Sequence, residues 1–182
     1  METDAFVRGL PDVESAEDLE RLMSECAGVH RDFLPHTECT RELGGLRMDV
    51  THLARCLWDA RHILKNQDPK SFLHVGTGHG HSFFVISHFL WFHVSPTISV
   101  STIDAHNYVL TDVLAFVKHH RSIASSADLV DRRYDFVFIE NGEPEDYCNV
   151  GAHAKVCVYL GVDPAVDANR KTQQYGDLEL MV

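Results

Sequence analysis

The sequence lacks any apolar stretch long enough to cross a bilayer, because its longest runs are interrupted by His, Ser or charge. The amino terminus, Met1-Glu-Thr-Asp-Ala5, is acidic and has no apolar h-region, which argues against a secretory leader. Cysteine is sparse. The five residues, Cys26, Cys39, Cys56, Cys148 and Cys157, show no C-x-x-C spacing and read as mostly buried free thiols of a reducing, cytoplasmic compartment. Cations are outnumbered: 16 Lys and Arg against 27 Asp and Glu leave a net charge of −11 with histidines neutral. The densest basic patches are Lys118-His-His-Arg121 and Arg132-Arg133, so there is no strong nucleic-acid signal. Also missing are a G-x-S-x-G elbow, a P-loop lysine, a zinc H-E-x-x-H and a Cys/His deaminase signature, which sets those enzyme classes aside.

What is present suits one globular unit. A chain of 182 residues with 45% apolar content builds one well-buried core. Thirteen dispersed histidines make its charge sensitive to pH near 6. Residues 12–27 carry an acidic amphipathic pattern, with Val13, Ala16, Leu19, Leu22, Met23 and Cys26 on one face and a capping box at Ser15-x-x-Asp18. His30 to Leu43 lacks periodicity, contains Pro35 and reads as a loop. Thr51 to Lys65 is a second helix, ended by Asn66.

Alternation then sets in. Phe72 to Val75 is a strand, Ser82 to Phe92 a helix apolar nearly all round, and Ile98 to Ile103 a strand with β-branched residues at alternate positions. Tyr108 to Val117 is helical and Ile123-Ala124 a very short strand. Tyr134 to Ile139 is a continuous apolar strand of the kind buried on both faces, and Val156 to Leu160 is a fifth. Tyr147 to Ala154 is ambiguous. The tail is polar until Leu178 to Val182, which either adds an edge strand or stays loose. This order predicts an α/β fold: a doubly wound, mostly parallel, Rossmann-like sheet, strand order 3-2-1-4-5, with helices on both faces.

Such sheets bind ligands at the C-terminal ends of their strands. There the sequence places Leu73-His-Val-Gly-Thr-Gly-His-Gly80, in which Gly76, Gly78 and Gly80 form G-x-G-x-G. The dinucleotide fingerprint G-x-G-x-x-G is not met, since its third glycine position is His81. Asp104 ends Thr102-Ile-Asp, where a carboxylate can accept both hydroxyls of a ribose. Tyr134 to Ile139 runs into Glu140, and the turn Ser122 to Ser126 offers hydroxyls and amides to an adenine edge.

These segments, in this order, resemble the class I S-adenosylmethionine-dependent methyltransferases, most closely their small-molecule and O-methyltransferase branch. The similarity covers roughly residues 42 to 160, beginning at Glu42-Leu-Gly-Gly45. It implies S-adenosylmethionine as cofactor, held by His74, Gly76, Gly78, Gly80, Asp104, Ser125, Ser126 and Glu140. His74 stands two before the first glycine, where the family usually has an acid. Its ring is expected either to face the ligand edge or to pack beneath the loop. If it meets the cofactor as a neutral acceptor, affinity should fall as pH drops through about 6.5. The resemblance also implies in-line methyl transfer to an oxygen or nitrogen of a small molecule, with His79, His81, His106 or Glu140 deprotonating the acceptor. Glu140, Asn141 and Asp163 offer oxygen ligands for magnesium, but no metal is expected. The rival expectation is a catalytically inactive protein of the same fold whose acidic surface docks a partner, and a homodimer is also open. Residues 1–45 are expected to form a helical segment packed on a domain spanning residues 46–182.

Overall fold

Ser15 and Asp18 start the first helix. The Ser15 hydroxyl accepts from the Asp18 amide at 3.1 Å and donates to the Asp18 carboxylate at 3.0 Å, closing the expected box. In the computed structural model, which describes residues 13–33, 48–77, 81–104, 120–123, 125–140, 144–160 and 170–182, this helix, α1, spans Ala16–Phe33. It runs past His30, where a loop was expected. Helix α2, Val50–Asn66, is capped by Asp49, which accepts from the amides of Thr51 and His52.

Strand β1 (Ser71–Val75) leads to helix α3 (His81–His93), then β2 (Ser99–Ile103) and β3 (His120–Ile123). A 3-10 turn at Ser126–Leu129 precedes β4 (Phe136–Ile139). A helical turn at Pro144–Asp146 passes into a π turn at Tyr147–Gly151, which resolves the ambiguous stretch before β5 (Val156–Leu160). The expected helix at Tyr108 to Val117 lies outside the described residues.

Among the described residues the sheet has seven strands in the order 3-2-1-4-5-7-6. β1 to β5 pair in parallel, while β7 (Leu178–Met181) runs antiparallel to β5 and β6 (Thr172–Tyr175) antiparallel to β7. The expected order, 3-2-1-4-5, is therefore incomplete. Leu178–Met181 is an interior strand, and the polar Thr172–Tyr175 forms the edge. The hairpin turns at Gly176-Asp177, where Gly176 has φ +57°, a left-handed conformation that glycine adopts without strain. The Tyr175 hydroxyl donates to Asp59 and pins the hairpin to α2.

Successive strand residues face opposite sides. Phe72, Phe136, Phe138, Val156 and Val158 pack with Leu19 of α1, Leu53 and Leu57 of α2, and Phe83, Ile86 and Phe89 of α3. On the other side Leu73, Val75, Val137, Ile139 and Cys157 meet Leu129, Tyr147 and Val150. Helix α3 is covered by α1 as well as by the sheet, which is why its sequence is apolar nearly all round. Among the described residues, no helix is long and apolar enough to cross a membrane.

Candidate functional site

Strand register gathers the expected residues. Val75 pairs with Ile103 on one side and Ile139 on the other, so Gly76, Asp104 and Glu140 each follow one of three aligned residues. Neighbouring strands lie about 4.8 Å apart, which makes these positions a continuous row at the C-terminal edge. The ladder continues into the row: the Gly76 amide donates to the Ile103 carbonyl at 2.9 Å and the Glu140 amide to the Val75 carbonyl at 3.0 Å. Gly76 has φ +74°, so the chain turns off β1 in a conformation that side chains resist. Asp104 is half-buried at the end of β2.

A polar residue within an apolar strand demands partners, and His74 has them. Its ring is completely buried, stacked on Phe138 with centroids 5.2 Å apart and edge-on to Phe72 and Phe83. Of the two dispositions open from sequence, it takes the one beneath the loop. Thr77 Oγ1 lies 3.3 Å from Nδ1, and Ser82 Oγ 3.3 Å from Nε2. Ser82 also donates to the Glu140 carboxylate, whose Oε2 is 3.6 Å from His74 Nε2. Burial pushes the imidazole down to about 3, so the ring is neutral near neutral pH and its contact with Glu140 is not an ion pair. Thr77, Ser82 and Glu140 are themselves buried.

The remaining expected residues are placed as follows. Ser125 is exposed and caps the 3-10 turn, accepting from the Ala127 amide at 3.2 Å. Ser126 is buried, donates to Asp146 and accepts from Asn149 Nδ2 at 3.0 Å. Both hydroxyls are thus engaged by the protein itself. His81 opens α3. Gly78, His79, Gly80 and His106 lie outside the described residues. Among the described residues, no three His, Cys, Asp or Glu side chains cluster as metal ligands do. Sequence reasoning missed Thr77 as a participant and placed Ser82 only at the start of a helix. The signal available was His74 itself, a polar side chain inside an apolar strand with Thr77 and Ser82 following it in the sequence.

No known family profile and no curated protein matches the chain. Solved structures do. The O-methyltransferase NovP superposes with a TM-score of 0.63 over 92% of this chain and 98% of its own, at 10% identity. MycE, a methyltransferase from the mycinamycin biosynthetic pathway in complex with Mg, SAH and mycinamycin VI, gives 0.55 over 88% of this chain and 54% of its own, at 14% identity. CalS11, a TDP-rhamnose 3'-O-methyltransferase, gives 0.51 over 94% and 95%, at 10% identity. The chain has the fold of the class I methyltransferases. In this chain the antiparallel pair β6 and β7 belongs to the same sheet, so the tail is a full part of it.

Proposed function

We propose that this protein is an S-adenosylmethionine-dependent methyltransferase acting on an oxygen or nitrogen of a small-molecule acceptor. The row Gly76, Asp104 and Glu140 at the C-terminal edge carries the reading. The residues fit the cofactor: the left-handed turn at Gly76 lets backbone approach a ligand closely, and Asp104 is at hand to accept from ribose hydroxyls. Structural neighbours whose names record O-methyl transfer, and in MycE an S-adenosylhomocysteine complex, support it further.

When bound, S-adenosylmethionine supplies an electrophilic methyl group. The chain's own work is to bind and orient the two reactants and to take a proton from the acceptor. Asp104 and the glycine turn hold the nucleoside, and His79, His81, His106 and Glu140 are the candidate bases. Ser125 and Ser126 are assigned to the adenine side through their backbone, because their hydroxyls are already engaged. The buried thiols Cys56 and Cys157 suit a cytoplasmic location.

Calorimetric titration with S-adenosylmethionine and S-adenosylhomocysteine tests the reading, and both should bind. Asp104→Ala should weaken binding by about 1–3 kcal/mol through loss of charge-assisted hydrogen bonds. A wild-type protein that binds neither would overturn the enzyme reading in favour of a catalytically inactive interaction protein.

A further inference from the structure

Strand β6 leaves one side of its backbone unpaired. The Lys171 amide donates to the Val182 carbonyl at 3.0 Å and the Val182 amide donates back to Lys171 at 3.0 Å, so Lys171, Gln173 and Tyr175 turn their backbone groups toward β7. Thr172 and Gln174 alternate with them and turn theirs outward. Among the described residues, β6 ends the sheet on this side, and Thr172, Gln173 and Gln174 are exposed. An edge of this kind is a template for another strand. The devices that blunt such edges are missing inside it, since Thr172–Tyr175 contains no proline and no charge.

The flanking side chains select the strand that fits. Lys171, Gln173 and Tyr175 share the face that packs toward α2, where the Tyr175 ring brings its hydroxyl to Asp59. Lys171 and Asp59 are both exposed, and neither enters an ion pair among the described residues. In an antiparallel pair centred on Gln173, Thr172 stands opposite Gln174 of a second copy and exchanges both backbone hydrogen bonds with it. Lys171 then stands opposite the second copy's Tyr175 on the same face. Its stem lies along that ring and its ammonium reaches toward Asp59. The twofold axis repeats this contact, cation to carboxylate, at both ends.

We propose that β6 pairs antiparallel with β6 of a second copy of this chain, joining two sheets into one through Thr172 and Gln174 and adding a Lys171–Asp59 ion pair at each end. Strand β6 runs parallel to β1 through β5, so the two candidate sites open on opposite edges of the joined sheet and neither covers the other. A four-residue strand on each side makes the contact small, which places it among weak, concentration-dependent associations.

Sedimentation equilibrium of the full chain, from about 1 μM to about 1 mM at about 0.15 M salt, should show a shift from the 20.6 kDa monomer to twice that mass. Thr172→Pro removes an outward amide and no bond to β7, so it should abolish the shift while thermal unfolding of dilute protein stays close to wild type. Lys171→Glu sets two carboxylates against each other and should weaken the dimer about ten-fold or more. Gln173→Cys places two thiols across the axis, at Cα atoms about 4.5 Å apart. Mild oxidation should then give more covalent dimer than in wild type, whose Cys148 is also exposed. A wild type that stays monomeric to the highest concentration overturns the proposal. So does a dimer that Thr172→Pro leaves intact, which would place the contact elsewhere. Cross-linking of Gln173→Cys no greater than that of wild type overturns the register, and a Lys171→Glu dimer of undiminished strength overturns the ion pair.

Discussion

Burying an imidazole among three phenylalanine rings ties stability to pH. In the unfolded chain His74 titrates near 6.5, whereas burial pushes it down to about 3 in the native state. Between those values the unfolded chain binds a proton that the native protein refuses. The contribution is therefore fully present above about pH 6.5 and is lost progressively as pH falls toward 3. Urea unfolding at pH 7.5 and at pH 4.5 should show a lower midpoint at the acid value, and His74→Phe should lessen that drop relative to wild type. The same burial alters an expectation drawn from sequence, that ligand affinity falls through about pH 6.5 by protonation of His74. A ring that titrates near 3 produces no such break, so affinity measured from pH 7.5 to 5.5 should carry no contribution from this residue. Sequence showed that a polar side chain interrupts strand β1; it did not show that two hydroxyls, from Thr77 and Ser82, would satisfy both ring nitrogens. Those contacts depend on how the glycine turn brings α3 back over the sheet, which no local pattern encodes.

Among the secondary-structure elements, legibility followed hydrophobic periodicity. β1, β4 and β5 were readable because both faces of a central parallel strand are buried, leaving short apolar runs such as Phe136–Ile139, whereas β2 was readable from β-branched residues at alternate positions, Val100 and Thr102. Strand β6 was not, because Thr172, Gln173 and Gln174 are exposed at the sheet edge and give no apolar alternation. Its one sequence signal was Gly176-Asp177, a two-residue hairpin connection between Tyr175 and Leu178. The hairpin's position also depends on a single side chain ahead of it. The Arg170 guanidinium donates to the carbonyls of Gly151 at 2.8 Å, Ala154 at 3.0 Å and Met181 at 3.1 Å, joining the π turn before β5 to the end of β7. Arg170→Ala leaves those partly buried carbonyls without their donor, and should cost about 1–3 kcal/mol in urea unfolding. Arg170→Lys should recover little of it, because an ammonium lacks the planar fork that reaches three acceptors at once. Hydrogen exchange of the β7 amides should quicken in both variants, and protection equal to wild type would show that the hairpin holds without this clamp.

At the scale of the whole molecule, the question is whether the amino-terminal helix belongs to the sheet's cooperative unit or merely rests on it. Leu19, Leu22 and Met23 are buried in the same apolar cluster as Phe72 and Phe136 of the sheet, and α1 packs on both α2 and α3. Thr51 of α2 donates to Glu20 at 2.9 Å, and Arg61, stacked on Trp58, reaches toward the Val13 carbonyl at 3.5 Å. A helix bound through the main core cannot leave without exposing α3, whose composition is too apolar for a solvated face. We therefore propose that the division between residues 1–45 and 46–182 is one of sequence pattern, not of stability. Leu19 has no accessible surface, so Leu19→Ala should cost about 2–5 kcal/mol by removing buried methyl groups and leaving a cavity. If α1 and the sheet unfold together, that loss shifts every probe equally. Tryptophan fluorescence, reporting Trp58 in α2 and Trp91 in α3, should then move by the same amount in urea as far-ultraviolet circular dichroism, with a single transition. A variant in which part of the helical signal melts first, while the remaining transition keeps its wild-type midpoint, would mean that α1 is a separable appendage and that the sheet, α2 and α3 supply the stability on their own.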